Sequence, residues 1–144
     1  MNILVAPDSF KDSLPAHEVS RIIAKAISNV IPHATIRQIP ISDGGEGLLK
    51  ALVTPLQGTL VSLRVKDPLH RTIDACYGLI DQGQTAIIEM AKASGIELLS
   101  IEERNPLITS TYGTGQLIKN ALDKGCTKII IGLGGSATND GGMG

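Results

Sequence analysis

Apolar positions near the N-terminus follow two rhythms. Ile3-Leu4-Val5-Ala6 is a continuous run, the mark of a short strand covered on both faces. Val19, Ile22, Ile23, Ala26, Ile27 and Val30 then recur at three- and four-residue intervals, which lays one apolar stripe along a helix. Ser13 stands at the N-cap position, Pro15 is tolerated in the first turn and Pro32 marks the stop. Ala34 to Ile39 supplies a second strand, and the short connections make this a parallel βαβ unit. A further helix is expected after Asp43, with Leu48, Leu49, Leu52 and Val53 on one face and Pro55 closing it.

Beyond Gln57 the pattern changes. Thr59 to Val65 alternates in part, Thr72 to Ile80 is strand-like, and Thr85 to Glu89 is another strand, with Asp67-Pro68 and Asp81-Gln-Gly83 as turns between them. Three strands without a helix interrupt the βα alternation, which places the start of a strand-rich second lobe near Gln57. Gly115 to Lys124 reads as a helix with Leu117, Ile118, Ala121 and Leu122 inward and Gly125 as its stop. Thr127 to Ile131 is a last buried strand, running directly into the glycine-rich segment Gly132 to Gly144. The expected class is α/β, with a parallel Rossmann-like sheet and a β-richer second-lobe segment. The expected divisions are 1–56 for the βαβ lobe, 57–95 for the strand-rich segment, and 96–144 for the helix, strand and glycine-rich loop.

Composition narrows the function classes. The chain is 42% hydrophobic, with 16 glycines and 7 prolines, which is globular rather than disordered. Its aromatic residues are Phe10, Tyr77 and Tyr112, too sparse for a surface that stacks the bases of single-stranded nucleic acid. Net charge is −1 and the basic residues are scattered, so no footprint for nucleic acid or an anionic membrane is present. Cys76 and Cys126 lack CxxC spacing, and His17, His33 and His70 are isolated; reduced thiols in a cytoplasmic setting are expected. The N-terminal apolar run is broken at once by Asp8, so it reads as a strand and not as a signal peptide, and no stretch is long enough to span a bilayer.

The chemistry concentrates at strand ends. Gly132, Gly134 and Gly135 follow a buried strand and let backbone N–H groups approach an anion, with Ser136, Thr138 and Asn139 adding side-chain donors. Asp140 is a candidate metal ligand or hydroxyl-positioning group. A P-loop is excluded because no Lys follows these glycines, and a hydrolase elbow because Gly134-Gly-Ser136-Ala-Thr138 lacks its last glycine. Gly132-x-Gly134-x-x-Ala137 does fit the loose dinucleotide pattern, which leaves an oxidoreductase reading open. At the end of the first strand, Asp8 and Ser9 suit substrate hydroxyls or Mg²⁺, and Lys11 suits a carboxylate or phosphate; a solvated polar loop fits the same residues. Asp43-Gly44-Gly45-Glu46 reads both as a capping box and as an anion or hydroxyl site at a helix N-terminus. Thr111 and Thr114 either donate to an anion or start a helix, and Lys92 reads as a surface residue.

Ala6-Pro-Asp-Ser-Phe-Lys11 followed by Ser13-Leu14, then Asp43-Gly-Gly-Glu-Gly47, Glu89-Met-Ala91, Thr111-Tyr-Gly-Thr-Gly115 and Gly134-Gly-Ser-Ala-Thr-Asn-Asp-Gly-Gly142, resemble the glycerate kinase family of bacterial glycerate metabolism. The motifs are collinear and extend over nearly the whole chain. The resemblance implies a fold of two α/β domains around a cleft, and ATP- and Mg²⁺-dependent phosphorylation of D-glycerate, usually to 2-phosphoglycerate. It implies that Lys11 binds the glycerate carboxylate or the migrating phosphoryl group, and that Asp43 orients or deprotonates the accepting hydroxyl. Asp8, Ser9, Gly44, Gly45, Glu46, Thr111 and Thr114 would contact substrate. Gly134, Gly135, Ser136, Thr138 and Asn139 would hold phosphate oxygens, with Mg²⁺ at Asp140. Family members continue well past this glycine-rich segment, so the chain reads as the N-terminal portion of such a kinase. A catalytically incompetent fragment is the alternative from another class.

Overall fold

A computed structural model describes residues 1–10, 13–39 and 41–144. It divides into two compact units, residues 1–43 and 44–144. The first contains strand β1 (Asn2–Val5), helix α1 (Ala16–Val30) and strand β2 (Thr35–Gln38), with β1 and β2 paired in parallel from Asn2–Thr35 to Val5–Gln38. The expected βαβ unit is therefore present. Its helix starts later than Ser13. Pro15, extended at φ −69°, is the N-cap, and its carbonyl accepts the first helical bonds from Glu18 and Val19. Val19 and Ala24 are buried, whereas Ile22, Ile23 and Val30 of the same stripe are exposed. A two-stranded sheet is too narrow to cover the whole stripe.

The second unit carries helix α2 (Leu48–Val53), strands β3 (Thr59–Lys66), β4 (Thr72–Ile80) and β5 (Thr85–Glu89), the short helix α3 (Ala91–Ser94), helix α4 (Tyr112–Asp123) and strand β6 (Lys128–Gly132). The four strands form one sheet in the order β3-β4-β5-β6; β3 to β5 are antiparallel neighbours, and β6 joins β5 in parallel. β6 thus shares a sheet with the strands of segment 57–95, and α2 packs on that same sheet. Reading the βα rhythm alone cannot show this, because β6 pairs across an intervening helix. The class is mixed α/β.

Every residue of β5 is buried. Its Ala86 and Ile88 join Val65, Ala75, Tyr77, Ala93, Leu117, Ala121 and Cys126 in one cluster, under α3 and α4. Ile87, on the opposite side by strand alternation, joins Leu48, Leu49, Val53 and Ile80, under α2. Leu117 and Ala121 of α4 point inward as expected, while Leu122 is 53% exposed and lies off the packed face. The single buried ring with a polar tip, Tyr77, donates its hydroxyl to Asn120 Oδ1 at 3.0 Å. Burial, and secondarily the nearby Cys126, pushes its phenol above the ordinary range.

Two helices begin away from their expected starts. α2 starts at Leu48 rather than just after Asp43, because Gly44 and Gly47 hold φ of 94° and 88° and turn the chain through residues 44–47. Gly47 is the N-cap and carries no capping side chain, so Asp43 and Glu46 do not form the expected capping box on this helix. α4 starts at Tyr112, ahead of Gly115. Gly113 is required there by close approach: a Cβ would lie 1.8 Å from the Lys66 carbonyl oxygen.

Because β5 has no solvent face, truncating Ile88 to Ala should lower unfolding free energy by roughly 2–5 kcal/mol. Leu60→Ala on the exposed outer strand β3 should change it by less than about 1 kcal/mol. Urea titrations followed by circular dichroism would compare the two.

Candidate functional site

In unit 44–144, two glycine turns meet at the carboxyl ends of β5 and β6. The Gly134 N–H donates to the Gly44 carbonyl at 3.2 Å. A Cβ on Gly132 would stand 2.2 Å from that same Gly44 oxygen and 2.4 Å from a Leu48 methyl. Only a residue without a side chain lets the 44–47 turn lie against the end of β6. The loop then folds back over the α3 region. Gly132 accepts from Met90 N–H at 3.0 Å, Gly135 accepts from Ile96 N–H at 2.8 Å, and Ala137 N–H donates to Ser94 at 3.0 Å. Thr109 Oγ1 donates to the Ala137 carbonyl at 2.7 Å. The loop is thus held by the carbonyls of Gly132, Gly135 and Ala137 and by the amides of Gly134 and Ala137. Among the described residues, the amides of Gly135 and Asn139 have no acceptor within the protein, the arrangement an incoming oxyanion requires. Ser136 and Thr138 share their hydroxyls at 3.0 Å on the exposed side of the loop.

Asp140 is hydrogen-bonded through both of its carboxylate oxygens. Its Oδ2 accepts from the Thr111 N–H at 2.7 Å and the Thr111 hydroxyl at 2.9 Å, and its Oδ1 accepts from Gly142 N–H at 3.1 Å. It caps α4 from the far end of the chain, an anion at a helix N-terminus. Desolvation pushes this carboxyl up, but the Thr111 and Gly142 hydrogen bonds together outweigh it and hold the group below the usual carboxylate range. Thr114, one turn further on, is buried and shares a 2.8 Å hydrogen bond with Ser94 Oγ. Both threonines are therefore engaged within the fold.

Beside the glycine loop lies a small cleft of about 40 Å³, lined by Glu46, Glu89, Ala91, Lys92, Glu97 and Gly135. It brings together two expected site residues, Glu46 and Gly135, with Glu89, which opens the Glu89-Met-Ala91 motif but had no role assigned, and Lys92, which was expected only as a surface residue. Glu89 closes β5, is 1% exposed, and accepts from Leu49 N–H in the first turn of α2 through Oε2 at 3.2 Å. Its Oε1 is buried without a hydrogen bond, 3.6 Å from Lys92 Nζ. The signal that marks Glu89 in the sequence is a lone acid ending a strand with no solvent face, at the carboxyl edge where open α/β sheets bind ligands.

The remaining expected residues lie in unit 1–43. Asp8 and Ser9 follow β1, where Ser9 N–H donates to Asp8 Oδ1 at 2.6 Å. Asp43 ends that unit and is engaged in an interaction of its own. Lys11 lies outside the described residues. No three metal-ligating side chains converge among the described residues, and no helix among them is long and apolar enough to cross a membrane.

The glycine loop thus stands at the carboxyl edge of an α/β sheet, the edge at which open α/β sheets commonly bind ligands. Comparison with known proteins identifies the family. A model of the glycerate kinase family matches residues 3–144, and the chain belongs to that family. It is 54% identical over 142 residues to a glycerate kinase of Halalkalibacterium halodurans, covering 99% of this chain and 37% of the relative. It is 49% identical over 144 residues to a glycerate 2-kinase of Escherichia coli K12, covering 100% and 38%. A crystal structure from Salmonella typhimurium LT2, of a protein designated glycerate kinase 2, superposes with a TM-score of 0.79 at 47% identity, again over 100% of this chain and 38% of that one. The chain spans somewhat over a third of the length of these relatives.

Two outcomes test this geometry. Gly132→Ala should destabilise the chain by about 1–3 kcal/mol through overpacking against Gly44 and Leu48, read by thermal melting. Asp140→Asn should cost about 1 kcal/mol at neutral pH through loss of the charged cap. The Asp140 pKa is lowered by folding, so its contribution is complete above the unfolded pKa near 3.9 and fades as pH falls through the folded value. The gap between the variant and the parent should accordingly close under acid conditions; a gap independent of pH would remove the charge from the explanation.

Proposed function

We propose that this chain is the N-terminal part of a kinase that transfers the γ-phosphoryl group of ATP to D-glycerate, forming 2-phosphoglycerate. The observation that carries this reading is family membership over residues 3–144, with curated relatives near half identity named glycerate kinase or glycerate 2-kinase. The glycine loop supports it physically. Two inward-held carbonyls fix the loop, and the amides of Gly135 and Asn139 are left to receive phosphate oxygens, with the hydroxyls of Ser136 and Thr138 beside them. The dinucleotide pattern at Gly132 to Ala137 is set aside, since the family match spans that segment.

In this reading the reaction is positioning plus charge stabilisation, as phosphoryl transfer generally is. Lys11 binds the glycerate carboxylate or the migrating phosphoryl group. Asp43 orients the accepting hydroxyl and takes its proton. Asp8, Ser9, Gly44, Gly45 and Glu46 contact the substrate. Magnesium, when bound with the nucleotide, would neutralise charge on the phosphates. The residues present fit such an ion, since the cleft beside the loop contains a buried carboxylate oxygen without a hydrogen-bond donor.

The experiment is a coupled assay of the full-length kinase containing this segment, with ATP and D-glycerate, and with the product identified by phosphorus NMR. Lys11→Ala should lower kcat/KM by roughly a hundredfold or more, the scale of losing one charge-stabilising group. Wild-type kinetics in that variant would remove Lys11 from the mechanism, and absence of phosphorylated glycerate in the parent would overturn the function.

A further inference from the structure

We infer that Glu89 is the protein's anchor for the divalent cation that accompanies the phosphate donor, with Lys92 as the group that occupies its place until the ion arrives. The inference rests on the phosphoryl-transfer reading above. Three observations lead to it.

First, Glu89 is buried to 1% exposure, yet only one of its oxygens is satisfied. Oε2 is turned to the start of α2, where it accepts from Leu49 N–H, which leaves Oε1 as a buried acceptor without a donor. Buried carboxylate oxygens in folded proteins are almost always partnered, and an orphan is most simply explained by a ligand. Second, the cleft that Glu89 lines is acidic. Among the described residues that line it, the charged side chains are Glu46, Glu89 and Glu97 with Lys92. Such a cleft repels a free carboxylate or phosphate and attracts a divalent cation, which can then bring phosphate with it. Third, Gly135 of the anion-receiving loop lines the same cleft. Magnesium is commonly held by one or two carboxylates, several waters and the phosphates of its substrate, rather than by a cage of side chains.

Lys92 completes the arrangement. Its ammonium is 3.6 Å from Oε1, too far for a hydrogen bond, and its side chain is 43% exposed. It neutralises Glu89 without saturating it. A flexible stem allows it to swing outward when a stronger cation takes the oxygen, and its charge is then available to the same phosphate. Asp140 is the poorer candidate, because its two oxygens already serve Thr111 and Gly142 and its removal as a cap would free the N-terminus of α4.

The test uses the full-length kinase containing this segment, labelled with ¹⁵N and titrated with MnCl₂, whose unpaired electrons broaden nearby amide signals. Broadening should centre on residues 89–92 together with Glu46 and Gly135. Glu89→Gln keeps an oxygen for Leu49 N–H, and should weaken the apparent Mn²⁺ affinity by roughly tenfold or more. Lys92→Met removes the competing cation and should tighten it. Broadening centred on Thr111 and Asp140, no localised broadening, or an affinity unchanged by Glu89→Gln would overturn the inference. Should Glu89→Gln fail to fold, Lys92→Met decides alone, and unchanged or weaker binding in it is the overturning result. The outcome is separate from the reaction itself. An active full-length glycerate kinase whose Mn²⁺ sits elsewhere overturns only the ion site, whereas Mn²⁺ at Glu89 in an enzyme that leaves glycerate untouched overturns only the reaction.

Discussion

Strand β5 has no face toward solvent, and the architecture of residues 44–144 follows from that constraint. A strand of five residues buried on both sides needs cover on both sides. Helix α2 supplies one through Leu48, Leu49 and Val53, and helices α3 and α4 supply the other through Ala93, Leu117 and Ala121. The strand also needs a neighbour on each edge, which β4 and β6 provide. Its last residue is Glu89, so covering the strand necessarily carries a carboxylate into the interior.

How that carboxylate is accommodated links packing to chemistry. One oxygen caps the start of α2, a helix whose own N-cap, Gly47, has no side chain to offer. The same solution recurs at α4, where Asp140 reaches Thr111 from a distant loop. In both cases the capping anion comes from a strand-end segment rather than from the residues preceding the helix. Long-range caps of this kind fasten loop to helix, so the glycine-rich turns are positioned by the same hydrogen bonds that start the helices. The loops at the carboxyl edge of the sheet are therefore held by the core, which is how a site made largely of backbone amides keeps its geometry.

Much of this was legible along the chain. The apolar run of β1, the partial alternation of β3, the strand-like β4, the buried character of β5 and the stripe of α4 each declare themselves through local periodicity, whereas β6, expected to be buried, buries only Gly132 and leaves Ile131 exposed. The motif set from Ala6-Pro-Asp-Ser-Phe-Lys11 to the glycine-rich segment pointed to the glycerate kinase family, and the family match over residues 3–144 bears that out. Less was legible at helix starts. Asp43 and Glu46 have the spacing of a capping box, but positive φ at Gly44 and Gly47 makes residues 44–47 a turn instead. Leu122 has the spacing of a core residue, yet α4 covers the sheet with only a narrow face, and Leu122 lies beyond it.

By itself, then, the sequence determined most of the elements, the α/β class and the family, because each of these depends on residues close together in the chain. Only the tertiary structure decided which strands share a sheet, that Gly132 must lack a side chain to admit Gly44, and that Asp140 is a helix cap. It also decided that Glu89 and Lys92 stand beside Glu46 and Gly135 in one cleft. These are contacts between residues far apart in the chain, brought together by burying β5, and no local periodicity encodes them. A carboxylate at the end of an apolar strand looks like a strand terminus until its surroundings show that one of its oxygens has been left without a partner.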